Sequence, residues 1–265
     1  MAVIHAVKIK KRYLIGCLVL LALAVNIYKL TGLKTEERHI AALSYVLANK
    51  IIVVDPGHGG RDPGKIGVSG VPEKDINLAV AKRLATLLGE MGAAVILTRD
   101  SDMDLCDNTI SGNKKRQDLN RRAEIANQRE ADLFISIHCN GFTSPREHGA
   151  QVFSQPGSEE SKRLAESIQA AMTDILGNTA RKAKQVDYYV TRTTKMPAAI
   201  VEIGFVTNPK EDRLLQEPLY QSKVAWSIAA GLIKYYEAKQ KELDPQEKEI
   251  LQTFQRQPGS YIPAP

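Results

Sequence analysis

Short apolar runs, each followed by a helical pattern, decide what this chain can fold into. IIVV (51–54), AAVIL (93–97), LFISI (133–137) and AAIVEI (198–203) are unbroken enough for strands buried on both faces. Weaker strand patterns lie at AQVFS (150–154) and VDYYV (186–190). Between the first two runs, Ile76, Val80, Leu84, Leu87, Leu88 and Met91 recur at helical spacing, and Gly92 ends the pattern. LNRRAEIANQ follows a polar stretch from Asp100 to Asp118. Ser158 can cap a helix carrying Leu164, Ile168, Met172 and Ile175, with Gly177 as its stop. A last helix places Tyr220, Val224, Ile228, Leu232 and Tyr235 on one face. Strand and helix in alternation imply an α/β fold: a mostly parallel sheet with helices on both faces, three layers in all.

The ends differ from this body. KIKKR stops at Arg12, and YLIGCLVLLALAVNIY (13–28) follows, interrupted only by Asn26. A basic cluster before such a run reads as a signal peptide or signal anchor over residues 1–33. It is short for a well-buried span, which takes roughly 20 apolar residues. Ala22-Leu23-Ala24 offers a cleavage site; Leu14-Ile15-Gly16-Cys17 is no lipoprotein box, because the apolar core comes after Cys17. Residues 34–49 read as a linker, 50–238 as one globular domain, and 239–265 as a charged, Pro-containing tail. The chain carries 36 Lys+Arg against 30 Asp+Glu, yet Lys8, Lys10, Lys11 and Arg12 supply four of the six net positive charges. A near-neutral body argues against a nucleic-acid groove.

Polar residues stand where the strands end. IIVV runs into Asp55-Pro56-Gly57-His58-Gly59-Gly60, LFISI into His138, and AAIV into Glu202. Sites in open α/β sheets lie beyond the carboxyl ends of the strands, so these side chains share one edge. Glu73, 15 residues after His58, opens the first long helix, where the returning loop brings it to that edge. Two imidazoles and a carboxylate form a hydrolytic zinc set with one position left for water. Such an ion lowers the pKa of water and polarises a carbonyl, and a second carboxylate is then needed as base. Composition alone permits Glu73 as ligand and Glu202 as base, or the reverse. Each residue also has a plainer reading: a loop or strand-end histidine, a helix-start acid. Glu202 fits the plain reading least, since a carboxylate inside AAIVEIGF needs a partner. His5, His39 and His148 lack any such setting. Cys139 should point away from His138 as a buried thiol, and no bridge to Cys106 is favoured. PGHGGRDPG lacks the GK[ST] of a P-loop, Gly57-His58-Gly59 lacks the third glycine of a dinucleotide fingerprint, and Ser136 is in no G-x-S-x-G elbow.

Taken in order, IIVVDPGHGGRDPG, the Glu of VPEKDINL, VILTRDSD, LNRRAEIAN, DLFISIHCN and PAAIVEIGFVTNPKEDRLL resemble the zinc-dependent N-acetylmuramoyl-L-alanine amidases of the Amidase_3 family. The likeness covers about residues 51–237. It implies a mixed six-stranded sheet. It implies one Zn2+ held by His58, Glu73 and His138, with Glu202 as the catalytic carboxylate, which breaks the tie above. Within the family, the short basic-plus-apolar N-terminus and NTARKAKQVDYYV are most similar to the sporulation-specific amidases of spore-forming Gram-positive bacteria. That implies peptidoglycan glycan strands with stem peptides as substrate, a place in spore-cortex maturation through muramic-δ-lactam and hence in germination, and an activating partner protein. It also implies export, with N-terminal membrane contact, to the space between the forespore membranes. A zinc exopeptidase on stem peptides and a non-catalytic wall-binding protein are the alternative readings. The segment 101–118 is a candidate substrate-side lid.

Overall fold

The computed structural model describes residues 47–107, 109 and 111–242. The expected signal segment, most of the linker and the tail beyond residue 242 lie outside the described residues, as do Cys17, His5 and His39.

Six strands form one sheet in the order β2-β1-β3-β6-β4-β5. They are β1 (Ile51–Pro56), β2 (Ala94–Leu97), β3 (Leu133–Asn140), β4 (Gln151–Ser154), β5 (Lys184–Gln185) and β6 (Ala198–Phe205). β2, β1, β3 and β6 run parallel, β4 pairs antiparallel with β6, and β5 follows β4. The sheet is therefore mixed, with a parallel centre, as the alternation and the family resemblance implied.

The helices are α1 (Glu73–Glu90), α2 (Lys114–Gln128), α3 (Glu159–Leu176), α4 (Tyr189–Thr193), α5 (Pro209–Leu215) and α6 (Pro218–Glu242). α1 buries Ile76, Val80, Leu84 and Leu88 at a spacing of four, the stripe legible in the sequence. The Ser158 side chain caps α3 by accepting the Ser161 N–H, and Gly177 ends it at φ 63°. α6 lies against both α1 and α3 on one face of the sheet. On the other face Ala123 and Ala126 of α2 and Val190 of α4 pack on Val53, Phe134 and Ile200. Successive strand residues face opposite sides. Val53, Asp55, Phe134, Ser136, His138, Ile200 and Glu202 thus share the α2 face, and the register pairs Asp55 with Ser136 and His138 with Glu202.

Three local details depart from the sequence pattern. VDYYV is not a strand: β5 is only Lys184–Gln185, and the chain turns into α4 at Tyr189. Val190 and Thr191 are both buried, which a half-exposed strand does not permit but one helical turn does. α2 begins at Lys114, one turn before LNRR, because the Asn113 side chain caps it by accepting the Arg116 N–H. α6 continues to Glu242, where Lys239 reaches Glu160 and Arg163 pairs with Glu242. Cys106 and Cys139 are both free thiols.

The crossing of α3 and α6 depends on Gly231, where an added Cβ would sit 2.5 Å from the Ile168 Cα. Alanine is the better helix former by about 1 kcal/mol, but here it must push two packed helices apart. Gly231→Ala should lower stability by about 1–3 kcal/mol in urea unfolding, against its helix propensity.

Candidate metal centre and its cavity

The loop after β1 carries His58 in the left-handed region, φ 62°, followed by Gly59 at 131° and Gly60 at 55°. Such backbone persists only when its surroundings hold it. Two arginines do so. Arg99 donates from Nε to the Pro56 carbonyl (2.9 Å) and from Nη2 to that of Gly57 (3.0 Å). Arg122 donates to the carbonyls of Pro56 (2.8 Å) and His58 (2.7 Å). Arg122 is itself anchored by Asp55 (2.6 Å) and Asp118 (2.7 Å). Asp55 also accepts from Ser136 (2.6 Å) and Thr98 (2.5 Å). Burial would raise the Asp55 carboxyl, but Arg122 and the two hydroxyls outweigh it and hold it below its ordinary value.

On this frame three side chains converge. The donor atoms of His58, Glu73 and His138 all lie within 4.8 Å of one another. Glu73 Oε1 is 3.2 Å from His58 Nε2 and 3.1 Å from His138 Nδ1. Bonds of about 2.0–2.1 Å at the tetrahedral angle put neighbouring ligand atoms about 3.3 Å apart, so this set fits a small divalent ion. His58 Nδ1 lies 2.9 Å from Asp62 Oδ2, an arrangement that turns Nε2 inward with its lone pair available. Glu73 is further fixed by the Cys139 N–H (2.9 Å), the Lys65 N–H (2.9 Å) and Asn77 (3.2 Å). Burial opposes its charge, yet the hydrogen bonds from His138 and His58 hold its carboxyl well below the usual range. Gly57 admits the cluster: a Cβ there would meet the His138 ring at 2.2 Å.

Glu202 stands apart from this trio. It faces the same side as His138, directly across the β3–β6 pairing. Its Oε2 is buried with no hydrogen-bond partner. Burial lifts its carboxyl to about 7, with His138 pulling it back and Glu73 adding to the lift. Both Glu202 and the histidines open on a cavity of about 470 Å³. Its walls are the His58 loop, the start of α2 and Tyr188, Tyr189 and Val190 of the α4 region. Asp104, Cys106 and Asp118 of the 101–118 segment line it too, so this segment forms wall. His148 is remote from it, its Nδ1 against the Arg146 carbonyl, and Cys139 is buried on the opposite face beside Asn77.

Sequence reasoning named the convergent residues but not their supports, Asp55, Asp62, Asn77, Arg99 and Arg122. The signal for Arg122 was present: it occupies the apolar phase of α2 with Ala123 and Ala126, where a charge demands a buried partner.

The N-acetylmuramoyl-L-alanine amidase family model matches residues 52–234. The chain belongs to this family. The germination-specific N-acetylmuramoyl-L-alanine amidase of Bacillus subtilis (strain 168) is 43% identical over 199 residues, covering 74% of this chain and 84% of that protein. The CwlD amidase from Clostridioides difficile, solved in complex with the GerS lipoprotein, superposes with a TM-score of 0.69 at 37% identity, covering 72% of this chain and all of that one. The catalytic domain of CwlV from Bacillus (Paenibacillus) polymyxa gives 0.63 at 32%, covering 71% and 98%. The chain is thus an amidase of peptidoglycan, of the CwlD type. Among the described residues no helix is long and apolar enough to cross a membrane.

Two stability measurements probe this arrangement. Arg122→Ala leaves Asp55 buried without its cation and should cost about 3–5 kcal/mol in urea unfolding. Glu202 keeps its proton in the fold up to about pH 7, while the unfolded chain releases it near its ordinary value of 4.5. The group therefore withdraws stability from the metal-free protein as pH rises through that window, by about 3 kcal/mol. After chelation, Glu202→Gln should melt at the same temperature as wild type at pH 4.5 and several degrees higher at pH 8.

Proposed function

We propose that this amidase is zinc-dependent, that His58, Glu73 and His138 hold the ion, and that Glu202 is the catalytic acid–base. The observation that carries this reading is a cluster of two imidazoles and an ionised carboxylate, with an orphaned carboxylate facing the same cavity. The bond cut joins the lactyl carbonyl of N-acetylmuramic acid to the nitrogen of L-alanine. When bound, a divalent ion at this centre supplies a Lewis acid for that carbonyl and for water. Asp62 and the Cys139 and Lys65 N–H groups keep His58 and Glu73 oriented. Glu202 takes the proton of the attacking water and delivers it to the departing nitrogen. A carboxyl poised near 7 serves both halves, accepting and then releasing one proton near neutrality. The α2 and Tyr188–Val190 walls flank the centre and hold the substrate between them.

Likeness to the germination-specific and CwlD amidases supports a role in spore cortex, where removal of stem peptides precedes muramic-δ-lactam formation. The CwlD amidase was solved with a lipoprotein, and a comparable partner is proposed for this chain. The basic and apolar residues 1–33 fit export, with a site of action between the forespore membranes.

Purified protein should release peptides with a new L-alanine amino terminus from peptidoglycan, leaving the glycan strands intact, as read by mass spectrometry. A zinc exopeptidase would instead release free amino acids. Glu202→Gln should retain zinc by elemental analysis while losing about 10²–10⁴ in turnover; normal turnover removes Glu202 from the mechanism. His58→Ala should lose the metal, and an unchanged zinc content would refute that ligand.

A further inference from the structure

The cavity wall carries a charge that the reaction above does not use. Apart from Glu202, its acids are all committed. Asp55 and Asp118 hold Arg122, Asp104 pairs with Arg61, and Asp62 faces His58 and accepts the Gly64 N–H. Arg61 is spent on Asp104, and Lys114 reaches the Asp107 carbonyl. Lys115 lines the same cavity, is exposed, and makes no ion pair or hydrogen bond among the described residues. His58 and Asp62, on the loop after β1, line the same cavity. It sits in the first turn of α2 with Lys114 and Arg116 and no acid. A cation there opposes the helix dipole; Arg116 is held over the Tyr189 ring, 4.6 Å from its centroid, whereas folding gives Lys115 no such contact.

The substrate has charge on one side only. The lactyl carboxyl of N-acetylmuramic acid is consumed in the scissile amide, which leaves the sugar neutral. The stem peptide is acidic. Its second residue, a D-glutamate joined through its γ-carboxyl, keeps a free α-carboxylate close to the scissile bond. We infer that Lys115 is a specificity-determining residue whose ammonium receives this carboxylate on the departing-peptide side of the cavity. The inference rests on the amidase reading and adds a preference to it: stem peptides with a free α-carboxylate are favoured over those in which it is amidated. The contact is exposed, so the preference is modest and sensitive to salt.

The test uses two preparations of un-cross-linked peptidoglycan strands that differ only in whether this carboxyl is free or amidated. Zinc-loaded wild type should favour the free acid by about two- to fivefold in kcat/KM, and the preference should fade in high salt. Lys115→Met should bring the ratio to about one, Lys115→Glu should invert it, and Lys115→Arg should keep it. Lys162→Met, which changes the same charge on α3, should keep the wild-type ratio. A wild type without preference, or a Lys115→Met protein with the wild-type ratio, overturns the assignment. If wild type frees no L-alanine terminus from either preparation, the amidase reading itself fails.

Discussion

The contact on which the site depends is the buried pair of Asp55 and Arg122, 1% and 2% exposed. It ties β1 to α2, and through Ser136 and Thr98 it reaches the adjacent strand and the end of β2. A pair of this kind is weak evidence of net stability, because both ions leave water. Its use is positional. The guanidinium, once neutralised, still has N–H groups to donate, and they go to carbonyls of the turn that presents His58. A left-handed histidine between glycines would otherwise have many conformations open to it.

Two glutamates that meet the same imidazoles in space are held in opposite electrostatic states. Glu73 has five hydrogen-bonding groups around its oxygens and stays ionised. Glu202 has a buried oxygen with none. The difference follows from the elements that deliver them. Glu73 begins a helix whose N-terminus favours negative charge, and it meets the backbone of the neighbouring strand. Glu202 projects from mid-strand, where the backbone groups nearby are already spent on the sheet.

What could be read from the sequence was what obeys a local rule. Strand and helix periods gave the layers, and polar residues directly after apolar runs gave His58, His138 and Glu202 a common edge. The loop contacts of Arg99 and Arg122 were opaque because the carbonyls they reach lie 42 to 66 residues away, and no spacing rule connects them. The α4 turn was misread because VDYYV has strand propensity over a span too short for periodicity to decide. Composition left Glu73 and Glu202 interchangeable, because it carries neither their burial nor their hydrogen-bond partners.

The strand order has a consequence for how the chain acquires its chemistry. Among the described residues β6 is the last strand in the chain, yet it lies between β3 and β4 in the middle of the sheet. Any nascent or truncated chain ending before residue 198 lacks Glu202 and exposes two unsatisfied strand edges at the sheet's centre. The cavity lined by His58, His138 and Glu202 therefore closes only when this late strand is threaded between two that precede it.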